Sequence, residues 1–362
     1  MKTHSKSRAS VLQTPSPPDL GGVCQTDALR KRKRFFVALG VALALLVGYN
    51  AAISHTARTS QRQRALAALE RVPANTECVF LGNSLVEAGC DVDAFAAAWP
   101  QAGHAPAAVN LALGATTPVE HYLILRRAYE RGLRPRILVY GFFDDQLNTT
   151  VAGDWSDLVG NRAFSYYFPE RAAELYAPGS TLKRWELEFT GRVPMLAERS
   201  SLWTQIELLR RRIDEVGMPK HKTNRFGRVD DFGALEAKDV ASFNRRCAAI
   251  VDGDVGFSRA IREIVRLAQE HGTKMVFVEM PMPSRHRDVF YASPAWARLR
   301  AHLEQLASTD GAAYVSASAW VRDDAAFEDA THLNETGAKF FSARLAATIS
   351  RLSARPNDVA RR

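Results

Sequence analysis

The chain has 362 residues, 46% of them hydrophobic and 24% charged, a balance that supports a folded core and excludes a wholly disordered or fibrous protein. A net charge of +9 would suit a nucleic-acid partner. Much of that excess lies in the terminal segments, however, without zinc-ligand spacing or an RNA-binding aromatic pattern, so the reading is no nucleic acid.

Residues 1–34 are rich in Ser, Thr, Pro and basic side chains and close on Arg30-Lys31-Arg32-Lys33-Arg34, which reads as a disordered basic cytoplasmic tail. Residues 35–53 carry no charged side chain, and about 20 such residues in a helix span the hydrocarbon core, so one transmembrane helix is predicted. The basic block before this span outweighs Arg58, Arg62 and Arg64 after it. By the positive-inside rule the amino terminus is cytoplasmic and the rest extracytoplasmic, as in a single-pass protein of a bacterial-type inner membrane with a periplasmic domain. A cleaved signal peptide is the rival, but the leader is long and the small-residue pattern over 52–57 is poor. Cys24 falls on the reducing side; of Cys78, Cys90 and Cys247, at most one pair can close.

Residues 54–73 read as a helical stalk, with Ala65, Leu66, Ala68 and Leu69 among Arg and Gln. The apolar run 77–81 is a first strand, 86–99 a helix closed by Pro100, and 106–113 a second strand ending at Gly114. A helix over 119–131 leads to a third strand over 136–143. After a long gap come a helix over 261–271, a fourth strand over 274–280, a helix over 294–307, a fifth strand over 312–316 and a last helix over 335–352, with 353–362 a flexible tail. Strands alternating with helices predict an α/β fold, a flavodoxin-like doubly wound, mostly parallel five-stranded sheet within residues 74–352. Residues 148–257 exceed any ordinary connection and read as a helical insertion on the carboxyl edge. It holds Trp155, Trp185, Trp203, Tyr166, Tyr167 and Phe168 and the basic runs 210–212 and 220–222, which suit either a polymer or membrane partner or a small core with a solvated face.

Chemistry concentrates at two points. Ser84 follows the first strand at Gly82-Asn83-Ser84, where an open α/β sheet places its sites, although a hydroxyl there also serves as a helix cap. Serine needs a neighbouring base, and Asp329-Ala330-Thr331-His332 follows the fifth strand: His332 suits that base, and Asp329, three residues earlier, can fold back to orient it. Asn83, Asp144 and Arg285 also lie at strand ends on this edge and are the candidate substrate-binding residues. His104, His121, His271, His286 and His302 read as surface or capping residues. Asp144-Asp145 has neither a His nor a further carboxylate at ligand spacing, so no metal or other cofactor is expected.

Gly82-Asn83-Ser84-Leu85, Asn110-Leu111-Ala112-Leu113-Gly114 and Asp329-x-x-His332 together resemble, in order, the conserved blocks of the SGNH/GDSL hydrolase superfamily. The resemblance implies Ser84 as nucleophile, His332 as base and then acid, Asp329 as orienter, and the amides of Ser84 and Gly114 as oxyanion donors. One block departs. The family carries Gly-x-Asn-Asp after the third strand, and this chain has Gly141-Phe142-Phe143-Asp144, so Phe143 replaces a side-chain donor whose loss costs about 3–4 kcal/mol in other hydrolases. Gln146 and Asn148 are the candidate substitutes. With its membrane anchor and insertion, the chain resembles extracytoplasmic SGNH-like proteins that work with membrane-bound O-acyltransferases. That implies an O-acetyltransferase or carbohydrate esterase acting on a cell-envelope glycan or another acylated substrate. The alternatives are a silent binding or assembly protein on the same fold and a lipase-type esterase.

Overall fold

A computed structural model of the protein describes residues 21–56, 67–100, 105–114, 116–148, scattered positions from 180 to 197, and 237–353. The chain divides into two units, Met1–Ala52 and Ile53–Arg362. In the first, one helix, α1, runs from Gly21–Thr56, and its stretch Leu29–Ala52 is long and apolar enough to cross a membrane. The helix thus extends into the basic tail expected to be disordered. Residues 30–34 contain only Lys and Arg, both good helix formers, with neither Gly nor Pro to stop propagation.

The second unit is a five-stranded parallel sheet in the order β2-β1-β3-β4-β5. The strands are β1 (Cys78–Leu81), β2 (Ala108–Asn110), β3 (Ile137–Phe142), β4 (Lys274–Glu279) and β5 (Ala313–Ser316). β1 and β3 are buried at every position, as expected of strands covered on both faces. Register pairs Phe80 with Asn110 on one side and Val139 on the other. The order reverses between β1 and β3, which makes the carboxyl ends of those two strands the switch point of the sheet.

The described helices of this unit include α2 (Ser84–Gly89), α3 (Val92–Ala97), α4 (Pro118–Glu130), α5 (Ala237–Asp252), α6 (Arg259–Glu270), α7 (Pro294–Thr309) and α8 (Glu335–Ser353). α8 packs on α2 and α3; α6 packs on α4, and α5 on α7. The helix expected over 86–99 is two. Asp91 breaks it by accepting a hydrogen bond from the Ala94 amide (2.9 Å) as the cap of α3. The expected insertion also ends earlier. α5 buries Phe243 and Cys247 in the main core, with Phe243 against Trp296 of α7. At the other end, Leu69 of the expected stalk is buried in the same core. Trp155, Trp203, Tyr166, Tyr167, Phe168 and the basic runs 210–212 and 220–222 lie outside the described residues, as does His104. Trp185 is exposed and stacks on Phe189. Cys78, Cys90 and Cys247 are buried free thiols, and burial pushes Cys247 up to about 12.

Candidate active site

β1 delivers Ser84 through Gly82-Asn83. A β-carbon at Gly82 would stand 2.4 Å from Val86 Cγ2 and 2.8 Å from the Gly141 carbonyl oxygen, so only glycine lets α2 start this close to β3. The capping role weighed for Ser84 belongs to Asn83, whose Oδ1 accepts from the Leu85 amide at 3.0 Å. Asn83 is buried, with its side-chain oxygen engaged in this cap. Ser84 is the first residue of α2, half-buried, with its hydroxyl left for chemistry.

His332 arrives on a tight loop between β5 and α8. Phe327 and Leu333 form an antiparallel bridge, Glu328 N donates to His332 O (2.7 Å), and Leu333 is buried. Asp329 organises the tip. Its Oδ1 accepts from the amides of Thr331 and His332, each at 2.8 Å, while its Oδ2 faces His332 Nδ1 at 2.8 Å. Burial would raise the Asp329 carboxyl, but the hydrogen bonds from His332 and the two amides outweigh it and hold the group well below the usual carboxylate range. Ionised Asp329 can only accept, so Nδ1 carries the proton and Nε2 presents its lone pair. That Nε2 lies 2.8 Å from Ser84 Oγ. The structure thus brings the three predicted residues into one hydrogen-bonded line with the geometry that activates a serine hydroxyl.

Gly114 comes to the same place by continued pairing beyond β2. Leu111 N donates to Phe80 O (2.9 Å) and Leu113 N to Gly82 O (3.2 Å), while Asn110 Nδ2 bonds the Val86 and Cys90 carbonyls (both 3.0 Å). A β-carbon on Gly114 would lie 3.5 Å from Ser84 Cβ. Its amide, however, donates to Glu87 Oε2 at 2.6 Å, a contact that the motif reading missed. The only signal for it in the sequence is the three-residue step from Ser84 to Glu87, which puts both on one face of α2.

His121 is not the surface or capping residue expected from the sequence. It is fully buried, and its Nε2 lies 2.9 Å from Thr116 Oγ1 and its Nδ1 2.8 Å from Tyr140 OH. Thr116 donates to Leu113 O at 2.5 Å, so it accepts from Nε2–H, and Tyr140 in turn donates to Nδ1. This relay pins the loop that carries Gly114 from beneath.

At the end of β3, Phe143 packs against the core. Asn148 Nδ2 bonds the carbonyls of Val255 and Gly256 at 3.0 and 3.1 Å, so its donors hold the approach to α6 and do not substitute for the missing one. The side-chain oxygen of Gln146 is buried without a hydrogen-bond partner among the described residues, and no hydrogen bond places its donor at Ser84. Asp144, in a left-handed conformation with φ 49°, accepts from His286 Nε2 and Tyr291 OH, both at 2.9 Å. His286 is therefore a half-buried partner of Asp144, and the Asp144 carboxylate is committed within the protein. Asp145 pairs with Arg246 at 3.0 Å. Arg285 sits half-exposed on the helical turn Ser284–His286 after β4. His271 stacks on Tyr129, and His302 Nε2 lies 2.9 Å from Val255 O.

Fold and site together define a doubly wound α/β protein with a Ser-His-Asp constellation at the switch point of its sheet. No family model and no curated protein matches the chain. Among solved structures it is similar to a protein of Bacteroides fragilis proposed to be an acylhydrolase, at 13% identity over 81% of this chain and 97% of that one, TM-score 0.38. A GDSL-like lipase of Bacteroides thetaiotaomicron is similar at 11% identity over 80% and 98% of the two chains, TM-score 0.37. The lipase/acylhydrolase of Enterococcus faecalis is similar at 10% identity over 76% and 96%, TM-score 0.34.

Proposed function

We propose that this protein is a membrane-anchored serine acyl transferase or ester hydrolase of the SGNH type, acting on acylated cell-envelope polysaccharide outside the cytoplasmic membrane. The single observation that carries the reading is the line Ser84 Oγ, His332, Asp329, closed by contacts of 2.8 Å at each end. Ser84 Oγ attacks the acyl carbonyl as His332 Nε2 takes its proton, and the oxyanion forms beside the amides of Ser84 and Gly114. His332 then protonates the leaving alcohol, which departs and leaves an acyl-Ser84 ester. A sugar hydroxyl, or water, next gives its proton to His332 and attacks that ester, and His332 returns the proton to Ser84. Transferase and esterase differ only in the acceptor admitted. The span Leu29–Ala52, with the basic run Arg30–Arg34 at its amino end, supports the anchored, amino-terminus-inside topology.

The test is turnover of p-nitrophenyl acetate by the full chain in detergent, with and without xylo- or manno-oligosaccharide acceptors, beside Ser84→Ala. Acetylated sugar made by the wild type alone selects the transferase, and equal rates for the two proteins remove Ser84 from the chemistry. A second reading, a silent assembly partner of a membrane-bound O-acyltransferase, draws on Phe143 in place of a donor. It expects no Ser84-dependent turnover.

A further inference from the structure

The Gly114 amide is placed to meet a negative oxygen forming on an acyl group at Ser84, since a β-carbon built on Gly114 would lie only 3.5 Å from Ser84 Cβ. It is already engaged. Glu87 rises from α2 one turn after Ser84 and accepts the Gly114 N–H at 2.6 Å, the short distance of a charge-assisted bond. A tetrahedral intermediate needs its own oxygen about 2.7–3.1 Å from such a donor. Two anions at one N–H repel each other, so carboxylate and oxyanion exclude each other.

The contact is not needed to hold Gly114 in place. The loop is fixed independently by Leu111 N on Phe80 O, Leu113 N on Gly82 O, Ala112 N on the Asn110 side chain, and Thr116 on Leu113 O. Glu87 is itself half-buried on the helix surface, so its side chain has a way out to solvent. With Phe143 offering no donor, the Gly114 amide carries a larger share of the oxyanion stabilisation.

We propose that Glu87 is a rate- and specificity-determining residue that occupies the oxyanion position in the resting protein, so that only a substrate able to displace its carboxylate is turned over. This rests on the reading of Ser84 as nucleophile. The full chain is compared as wild type, Glu87→Ala, Glu87→Gln and Ser84→Ala, with circular dichroism as the check of folding. Two quantities are read: kcat/KM for p-nitrophenyl acetate, and the inhibition constant of phenylboronic acid, which adds Ser84 Oγ to boron and gives a tetrahedral anion without an acyl transfer.

Glu87→Ala should raise kcat/KM and tighten boronate binding, each by about tenfold or more, the scale of a released charge-assisted hydrogen bond. Glu87→Gln, which keeps the shape and removes the charge, should fall between. Ser84-dependent turnover that is equal or slower in both Glu87 variants overturns the proposal and leaves the nucleophile reading standing. Turnover insensitive to Ser84→Ala overturns the nucleophile reading and the proposal with it, whereas folded Glu87→Ala that neither turns over nor binds boronate overturns the proposal alone. If Glu87→Ala does not fold, Glu87→Gln alone decides: faster supports, equal or slower overturns.

Discussion

Replacing Asp329 by Asn tests the proposed proton path with almost no change in volume. The structure fixes which way the amide will face. Oδ1 receives the Thr331 and His332 amides, both at 2.8 Å, as well as Thr331 Oγ1 at 3.2 Å. An NH2 group there would meet three donors, so the Asn oxygen keeps that position and the NH2 takes the place of Oδ2, facing His332 Nδ1 at 2.8 Å. Where Nδ1 accepts from that NH2, the ring proton moves to Nε2, and Nε2 can no longer take the proton of Ser84, 2.8 Å away; a ring that kept Nδ1–H would have to donate to the Asn oxygen, 2.9 Å from Nδ1 but already met by three donors. The wrong tautomer lowers kcat by about 10⁴-fold in a serine protease with the same arrangement, or about 5.5 kcal/mol of barrier, and a loss of that order is expected here. The backbone donors stay satisfied, so the melting temperature should move little. Asp329→Ala, by contrast, leaves the buried His332 amide and the half-buried Thr331 amide without their acceptor and should destabilise by about 2–4 kcal/mol. The assay is p-nitrophenyl acetate turnover beside a thermal melt. Folded Asp329→Asn retaining a tenth or more of wild-type kcat would refute the tautomer reasoning.

Three further outcomes follow from the packing around this line. Gly82→Ala should cost about 2–4 kcal/mol in a thermal melt, since its methyl would meet Val86 Cγ2 at 2.4 Å and the Gly141 carbonyl at 2.8 Å; adding Val86→Ala should recover only part, because the carbonyl cannot retreat. Tyr140→Phe removes the donor to buried His121 Nδ1, 2.8 Å away, and should lower the melting point by an amount equivalent to about 1–3 kcal/mol while reducing kcat more than it changes KM, through the loop of Gly114. Asp329 also makes stability depend on acid: its folded-state value lies below the unfolded one, so its contribution is complete above the unfolded value of about 3.9 and disappears as pH falls through the lower folded one. Asp329→Asn should flatten that part of the acid limb in melts taken below about pH 4, and an unchanged limb would assign the acid loss to other groups.

The central strands were legible because β1, β3 and the Met275–Val278 stretch of β4 are buried on both faces and spell apolar runs. Ser84, Asp329 and His332 were legible because Ser84 lies just beyond β1 and the other two lie in the segment that joins β5 to the last helix, where a doubly wound sheet gathers its loops, and because a Ser with an Asp-x-x-His is a complete proton path in residue types alone. What misled was local competition. Asn83 and Ser84 are both capping residues, and the composition does not say that Asn83 takes the cap and frees the hydroxyl. Asp91 cuts an apolar-periodic helix in two by the same device.

The parts of the site that reading in order did not reach are contacts between elements. Glu87 and Gly114 are 27 positions apart, and His121 and Tyr140 19. Each pair is set by the crossover from β1 through α2 and α3 to β2, and back through α4 to β3, rather than by local spacing. The difference matters for function. Motif blocks name the groups that can react, whereas the availability of the Gly114 amide is decided by a side chain outside the residues read as catalytic, reached only once β2 is laid beside β1. Two chains with the same blocks can therefore differ in rate through the residue at position 87, and exchanging that residue between acid and amide, with the three reactive residues untouched, separates the presence of a nucleophile from its readiness to act.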